Sequence, residues 1–151
     1  MSIEDDVNLL ASVPTLRLLG IDALRVLAIG SESRRLRRDE TLFRTGDTAD
    51  AGYVVQYGSL KVSTQDAGGY RDAVVGPGTL IGELALLVEM QRPSTAKAVE
   101  EASVLRISRS MFLRVLEGHP DAARRLRDDL ASRTSQAASD LMIASGKLTP
   151  Q

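Results

Sequence analysis

A chain of 151 residues and 16.3 kDa, 43% apolar and 26% charged, has room for one domain with a hydrophobic core and the composition of a soluble globular protein. Its formal net charge of −1 offers no bulk attraction to nucleic acid or to an anionic membrane surface, and no apolar run approaches bilayer length. The acidic start Met1-Ser2-Ile3-Glu4-Asp5-Asp6 has the wrong sign for a secretory leader, and zero cysteines exclude disulfide and thiolate chemistry and fit a cytoplasmic setting. A single histidine, His119, rules out a multi-histidine metal centre, and no metal site is expected.

Residues 1–32 read as helical. Ser2 and Asp5 have the spacing of a capping box, and Asp5 and Asp6 suit the positive end of a helix. Pro14 divides the segment into two short helices. Asp22 is expected to cap the second, whose inner face carries Leu24, Leu27 and Ala28 and which Gly30 ends.

Over 33–107 the period changes. Tyr53-Val54-Val55, Leu60-Lys61-Val62, Ala73-Val74-Val75 and Val104-Leu105-Arg106-Ile107 are short β-favouring runs. Turn residues punctuate them at Gly46-Asp47, Gly58-Ser59, Asp66-Ala67-Gly68-Gly69 and Gly76-Pro77-Gly78. With no helix-length insertion between strands, the pattern predicts a mainly β domain with flanking helices, an antiparallel roll of jelly-roll type. The basic run Arg34-Arg35-Leu36-Arg37-Arg38, followed at once by Asp39-Glu40, reads as a solvated strand face. Tyr53, Tyr57 and Tyr70 read as core or rim.

Residues 108–146 return to helical spacing. Ser108 or Ser110 caps a helix bearing Phe112, Val115 and Leu116 that Gly118 stops; Pro120 suits the first turn of a longer one. Leu126, Leu130, Ala137 and Leu141 form a narrow stripe on that helix. It serves either packing on the domain itself or pairing with the same helix of a second copy, a homodimer.

The chemistry concentrates at 81–96. Gly82 permits close approach of backbone to a ligand and opens a short helical turn whose free N–H groups suit an anion. Glu83 at the same mouth can accept hydrogen bonds from sugar hydroxyls. Arg92, nine positions on, can return across the pocket and donate a forked pair of bonds to phosphate, with Ser94 and Thr95 adding hydroxyls. A carboxylate for sugar and a guanidinium for phosphate make a receptor for a small nucleotide.

Ile81-Gly82-Glu83-Leu84-Ala85-Leu86 followed by Arg92 and a hydroxylated stretch resembles the phosphate-binding cassette of cyclic nucleotide-binding domains. Leu42-Phe43-Arg44-Thr45-Gly46-Asp47, Tyr53-Val54-Val55 through Gly58, and Gly76-Pro77-Gly78-Thr79-Leu80-Ile81 fall in that family's order. The resemblance covers about residues 15 to 145. It implies a β-roll with a short cassette helix and C-terminal helices acting as a lid. It also implies that Glu83 holds the ribose 2′-hydroxyl, that N–H groups of Gly82, Glu83, Leu84 and Ala85 assist, that Arg92 takes the cyclic phosphate, and that Thr95 stands close to the pocket wall.

The sequence departs from that pattern in one place. Gln91-Arg92-Pro93-Ser94-Thr95 stands where the family commonly reads Pro-Arg-Ser-Ala-Thr, so Pro93 removes a backbone N–H from the phosphate site. One lost bond costs about 1–3 kcal/mol, roughly ten- to hundredfold in affinity. The lack of a hydroxyl directly after Arg92 favours cAMP over cGMP as ligand. The expected function is therefore a regulatory module sensing a cyclic mononucleotide, without further cofactor, acting on an unidentified effector protein. The alternative is a non-binding interaction scaffold that keeps the fold, with Glu83 and Arg92 as a buried ion pair. Only about thirty residues follow His119, so no direct DNA contact is expected.

Overall fold

The computed structural model describes residues 2–132. The chain enters through α1 (Ile3–Ala11), where Ser2 Oγ accepts the Asp5 N–H at 3.1 Å and the Asp5 carboxylate accepts the Ser2 N–H at 3.3 Å, the reciprocal box anticipated above. Val13, held extended ahead of Pro14, separates α1 from the single turn α2 (Pro14–Arg17). Next comes α3 (Ile21–Gly30), and here one expectation is corrected. Gly20, at φ +86°, occupies the cap and the helix starts at Ile21, so Asp22 lies inside the first turn. Its carboxylate still faces the positive end of the helix.

Ten antiparallel strands follow: β1 (Glu32–Leu36), β2 (Thr41–Phe43), β3 (Thr48–Ala49), β4 (Ala51–Tyr57), β5 (Leu60–Asp66), β6 (Gly69–Val75), β7 (Leu80–Ile81), β8 (Met90–Gln91), β9 (Ser94–Ala98) and β10 (Ala102–Ser108). They form two four-stranded sheets, in the orders β1-β10-β4-β7 and β2-β9-β5-β6, with β3 and β8 as a small separate ribbon. The roll ends in α4 (Arg109–Gly118), capped by Ser108, whose hydroxyl accepts the Met111 N–H at 3.2 Å.

The central strands β4 and β10 are buried on both faces, which accounts for their continuous apolar runs. Tyr53, Val55 and Val104 face the roll interior with Leu36, Leu60 and Ala96. Val54, Leu105 and Ile107 face the other way, into a helical core of Leu10, Leu16, Leu24, Leu27 and Phe112. The roll and its helices thus share one wall.

Helix also runs over 120–132. Ala122 and Leu126 are buried in the helical core and Leu130 packs on it, so this part of the predicted stripe serves the domain itself. Ala137 and Leu141, and with them the pairing reading of the stripe, lie outside the described residues. Arg34 and Arg35 on β1 are solvated as anticipated. Tyr53 is core, while Tyr57 and Tyr70 are exposed. Among the described residues no helix is long and apolar enough to cross a membrane.

Candidate functional site

The segment after β7 positions the site. β7 is a two-residue strand that pairs with β4 through Tyr53–Ile81 and Val54–Leu80, and the chain leaves it through Gly82 at φ +78°. The turn that follows, Glu83–Leu86, is 3₁₀ rather than α, closed by the Ala85 N–H on Gly82 O at 3.1 Å and the Leu87 N–H on Leu84 O at 3.0 Å. Ala85 and Leu86 are buried, while Leu84 stands 56% exposed at the rim. The Ala85 N–H is therefore engaged within the turn.

Arg92 comes back across this turn, as its spacing from Glu83 predicted. Its main chain is clamped to the loop ahead of β3: the Arg92 N–H donates to Asp47 O at 2.7 Å, and Arg92 O accepts the Gly46 N–H at 2.8 Å. The side chain is only 4% exposed. Its Nη2 donates to Ala51 O at 2.8 Å, and its Cζ lies 4.3 Å above the Phe43 ring and 5.4 Å above that of Tyr53. Nη1 is buried and has no hydrogen-bond partner among the described residues. A Cβ added at Gly82 would stand 2.5 Å from that nitrogen, so glycine is what lets the guanidinium lie against the turn.

Burial holds the Arg92 guanidinium below the ordinary arginine range; Tyr53, Asp50 and Asp47 oppose that shift, and Arg106 adds to it. Among the described residues no ion pair links Glu83 and Arg92. Asp50, one of the opposing carboxylates, is itself bridged to Arg106 at 3.2 Å. Glu83 instead receives the Thr15 hydroxyl on Oε1 at 3.1 Å, a contact from α2.

Between turn and strand lies a cleft of about 240 Å³. Gly82, Glu83, Leu84 and Ala85 form one side and Arg92, Pro93 and Ser94 the other; Phe43, Ile81 and Met90 supply apolar walls. Seven of the eight residues singled out in the sequence are thus brought together. Thr95 is the exception and corrects its placement at the pocket wall. Along β9, Ser94, Ala96 and Ala98 turn inward, so Thr95 points to the opposite face. There its hydroxyl accepts the Thr45 N–H at 3.0 Å. Phe43, Tyr53, Met90 and Thr15 were not foreseen as site residues. Phe43 stood in the quoted Leu42–Asp47 run, but nothing in the sequence announces a ring beneath Arg92 or the reach of Thr15 from a helix 68 positions away.

What the arrangement can do follows from these contacts. It offers a desolvated cation with one unfilled donor, a carboxylate held in place nearby, and apolar walls between them: a receptor for a small anion attached to a hydroxylated, partly apolar body. The comparisons with known proteins agree. Residues 33–119 match the model of the cyclic nucleotide-binding domain. The chain is 34% identical over 122 residues to the Cyclic AMP receptor protein of Thermus thermophilus, covering 79% of this chain and 56% of that protein. It superimposes on the N-terminal domain of a transcriptional regulator from Streptomyces coelicolor with a TM-score of 0.79 at 30% identity, covering 88% of this chain and 94% of that one. The regulatory domain of Toxoplasma gondii PKA, crystallised with cAMP, aligns with a TM-score of 0.71 at 27% identity, over 81% of this chain and 46% of that one. The chain spans about half the length of the curated relatives it matches, 53% and 56% of the first two. On the fold, the cassette and these matches together, the chain belongs to the cyclic nucleotide-binding domain family.

Proposed function

We propose that the cleft binds cAMP in preference to cGMP, and that the chain is a sensing module that acts on an effector protein rather than a catalyst. The observation that carries this reading is Arg92 Nη1, a buried cationic donor at the edge of the cleft without a partner among the described residues. Leaving such a donor unpaired costs about 1–3 kcal/mol, and a phosphate oxygen at Gly82 would satisfy it with a charge-assisted bond. Glu83, held by Thr15, is the acceptor for a ribose hydroxyl. The name of the Thermus relative and the cAMP in the Toxoplasma crystal support the choice of base. So does Pro93, which leaves no hydroxyl directly after Arg92.

Pro93, exposed at the rim and without an N–H, is the observation that favours the scaffold alternative. Thermal melts of the purified chain with cAMP, cGMP, 5′-AMP and buffer separate the two readings. Ligand at a hundred times its Kd adds about 2.7 kcal/mol, or roughly 5–10 °C at this size. A shift with cAMP exceeding that with cGMP, and none with 5′-AMP, is the expected result. No shift with any of them at millimolar concentration overturns the sensing reading in favour of the scaffold.

A further inference from the structure

A second charged surface lies on the outer face of the sheet β2-β9-β5-β6. Leu60 on β5 and Ala96 and Ala98 on β9 turn inward, so Lys61 and Lys97 turn outward. The register sets these two lysines directly opposite one another. Like charges in that relation destabilise a sheet. Arg38 joins them around one shallow depression of about 280 Å³, at whose margins stand the exposed side chains of Val74 and Val99. None of the three cationic side chains makes an ion pair or hydrogen bond among the described residues.

The domain therefore carries two like charges set opposite one another across strands, neither in an ion pair among the described residues, in a chain whose net charge is −1. The chemistry that would offset them is anionic. The depression also contains the Asp39 carboxylate, on a residue held at φ +70°. A continuous polyanion, such as a bilayer of acidic lipid or a nucleic-acid backbone, would press charge on Asp39 as well as on the lysines. A polypeptide can set carboxylates over the cations alone and apolar side chains on Val74 and Val99. Crossing from β6 to β9 spans two strand spacings, about 10 Å, which an extended chain covers in three to four residues.

We propose that the outer face of β5 and β9 docks an acidic segment of a partner protein, its carboxylates over Lys61, Lys97 and Arg38 and its apolar side chains on Val74 and Val99. The probe is a fluorescein-labelled peptide, Gly-Leu-Glu-Asp-Glu-Leu-Gly, with a second peptide carrying Lys-Lys-Lys in its core as control. Anisotropy is read for the wild-type chain and for K61E/K97E, with the unligated melt as the check on folding. Expected are saturable binding of the acidic peptide only, at least tenfold weakening in K61E/K97E, and a similar weakening between 0.05 and 0.5 M NaCl. Should the double reversal fail to fold, K61Q/K97Q replaces it, with the same loss of binding and a melting temperature unchanged or raised. The proposal is overturned by equal binding to wild type and variant, by equal binding of the two peptides, or by no binding at millimolar peptide. Sedimentation with phosphatidylglycerol vesicles in the absence of peptide binding overturns it in favour of a membrane surface.

Discussion

Replacing Arg92 by leucine separates binding from stability, because the structure predicts opposite signs for the two. In the folded chain the guanidinium is desolvated and one of its nitrogens is unpaired, which costs about 1–3 kcal/mol. Against that stand one bond to Ala51 O, worth about 1 kcal/mol, and a stack on Phe43 worth about 1 kcal/mol. Leucine is shorter than arginine and gives up the stack on the two rings, but it is apolar and carries no charge into the interior. Substituting buried ionic groups by apolar ones of similar volume is commonly neutral or stabilising by about 1–4 kcal/mol. At roughly 2–4 °C per kcal/mol, Arg92→Leu should leave the unligated Tm unchanged or raise it by several degrees. Binding moves the other way. The charge-assisted bond that Nη1 would give a phosphate, at about 1.5–3 kcal/mol, is lost, so affinity for cAMP should fall at least tenfold. Differential scanning fluorimetry with and without cAMP, backed by calorimetric titration, reads both quantities. A cAMP shift as large as that of the wild type would refute the assignment of Arg92 to the phosphate. A drop of more than about 6 °C in the unligated Tm would refute the argument that its present environment is unfavourable.

Gly58→Ala tests the roll. Its φ of +78° strains alanine by about 1–2 kcal/mol, and the new Cβ would stand 2.4 Å from Glu101 O, so chemical denaturation should show a loss of more than about 3 kcal/mol. Thr95→Val removes the acceptor of the Thr45 N–H on the far side of β9; stability should fall by about 1 kcal/mol while the cAMP-induced shift is unchanged, and a lost shift would return Thr95 to the site. Thr15→Val deletes the hydroxyl that holds Glu83 and nothing of similar volume; titration should show cAMP bound about three- to tenfold more weakly, with the unligated Tm within about 3 °C of wild type.

The parts legible in the sequence are those set by local rules. Ser2 and Asp5, Pro14, Gly30 and Ser108 mark helix ends through backbone chemistry that does not depend on the rest of the fold. That Gly82, Glu83 and Arg92 line one cleft was legible through the resemblance of 81–96 to the phosphate-binding cassette, not through any one of them alone. What escaped was set by long-range register. Thr95 lies one residue beyond Ser94, and a single step along a strand reverses the face. The choice of Gly20 over Asp22 as the cap of α3 goes with the φ of +86° at Gly20, a backbone conformation that L side chains rarely adopt. Thr15 meets Glu83, and Phe43 meets Arg92, only because α2 and β2 are folded against the cassette.

The same long-range contacts decide how far a change in the cleft can reach. The 3₁₀ turn has its outer side at the cleft and its inner side, Ala85 and Leu86, buried against β4 and the helical core. Arg109, the first residue of α4, donates through Nη1 to Ala49 O at 2.9 Å, Val88 O at 3.0 Å and Ala85 O at 3.3 Å. One guanidinium thus ties the start of α4 to β3, to the 3₁₀ turn and to the chain just after it. Leu126 and Leu130 pack beside Leu86, Leu87 and Phe112, so the helix over 120–132 bears on the same four-residue turn. The buried inner side of the turn cannot shift without its neighbours repacking, because interiors at crystal-like density do not absorb displacement gradually. On the reading proposed above, a phosphate at Arg92 would bear on Gly82, against which the guanidinium lies, and so on the turn that Arg109, Leu126 and Leu130 hold.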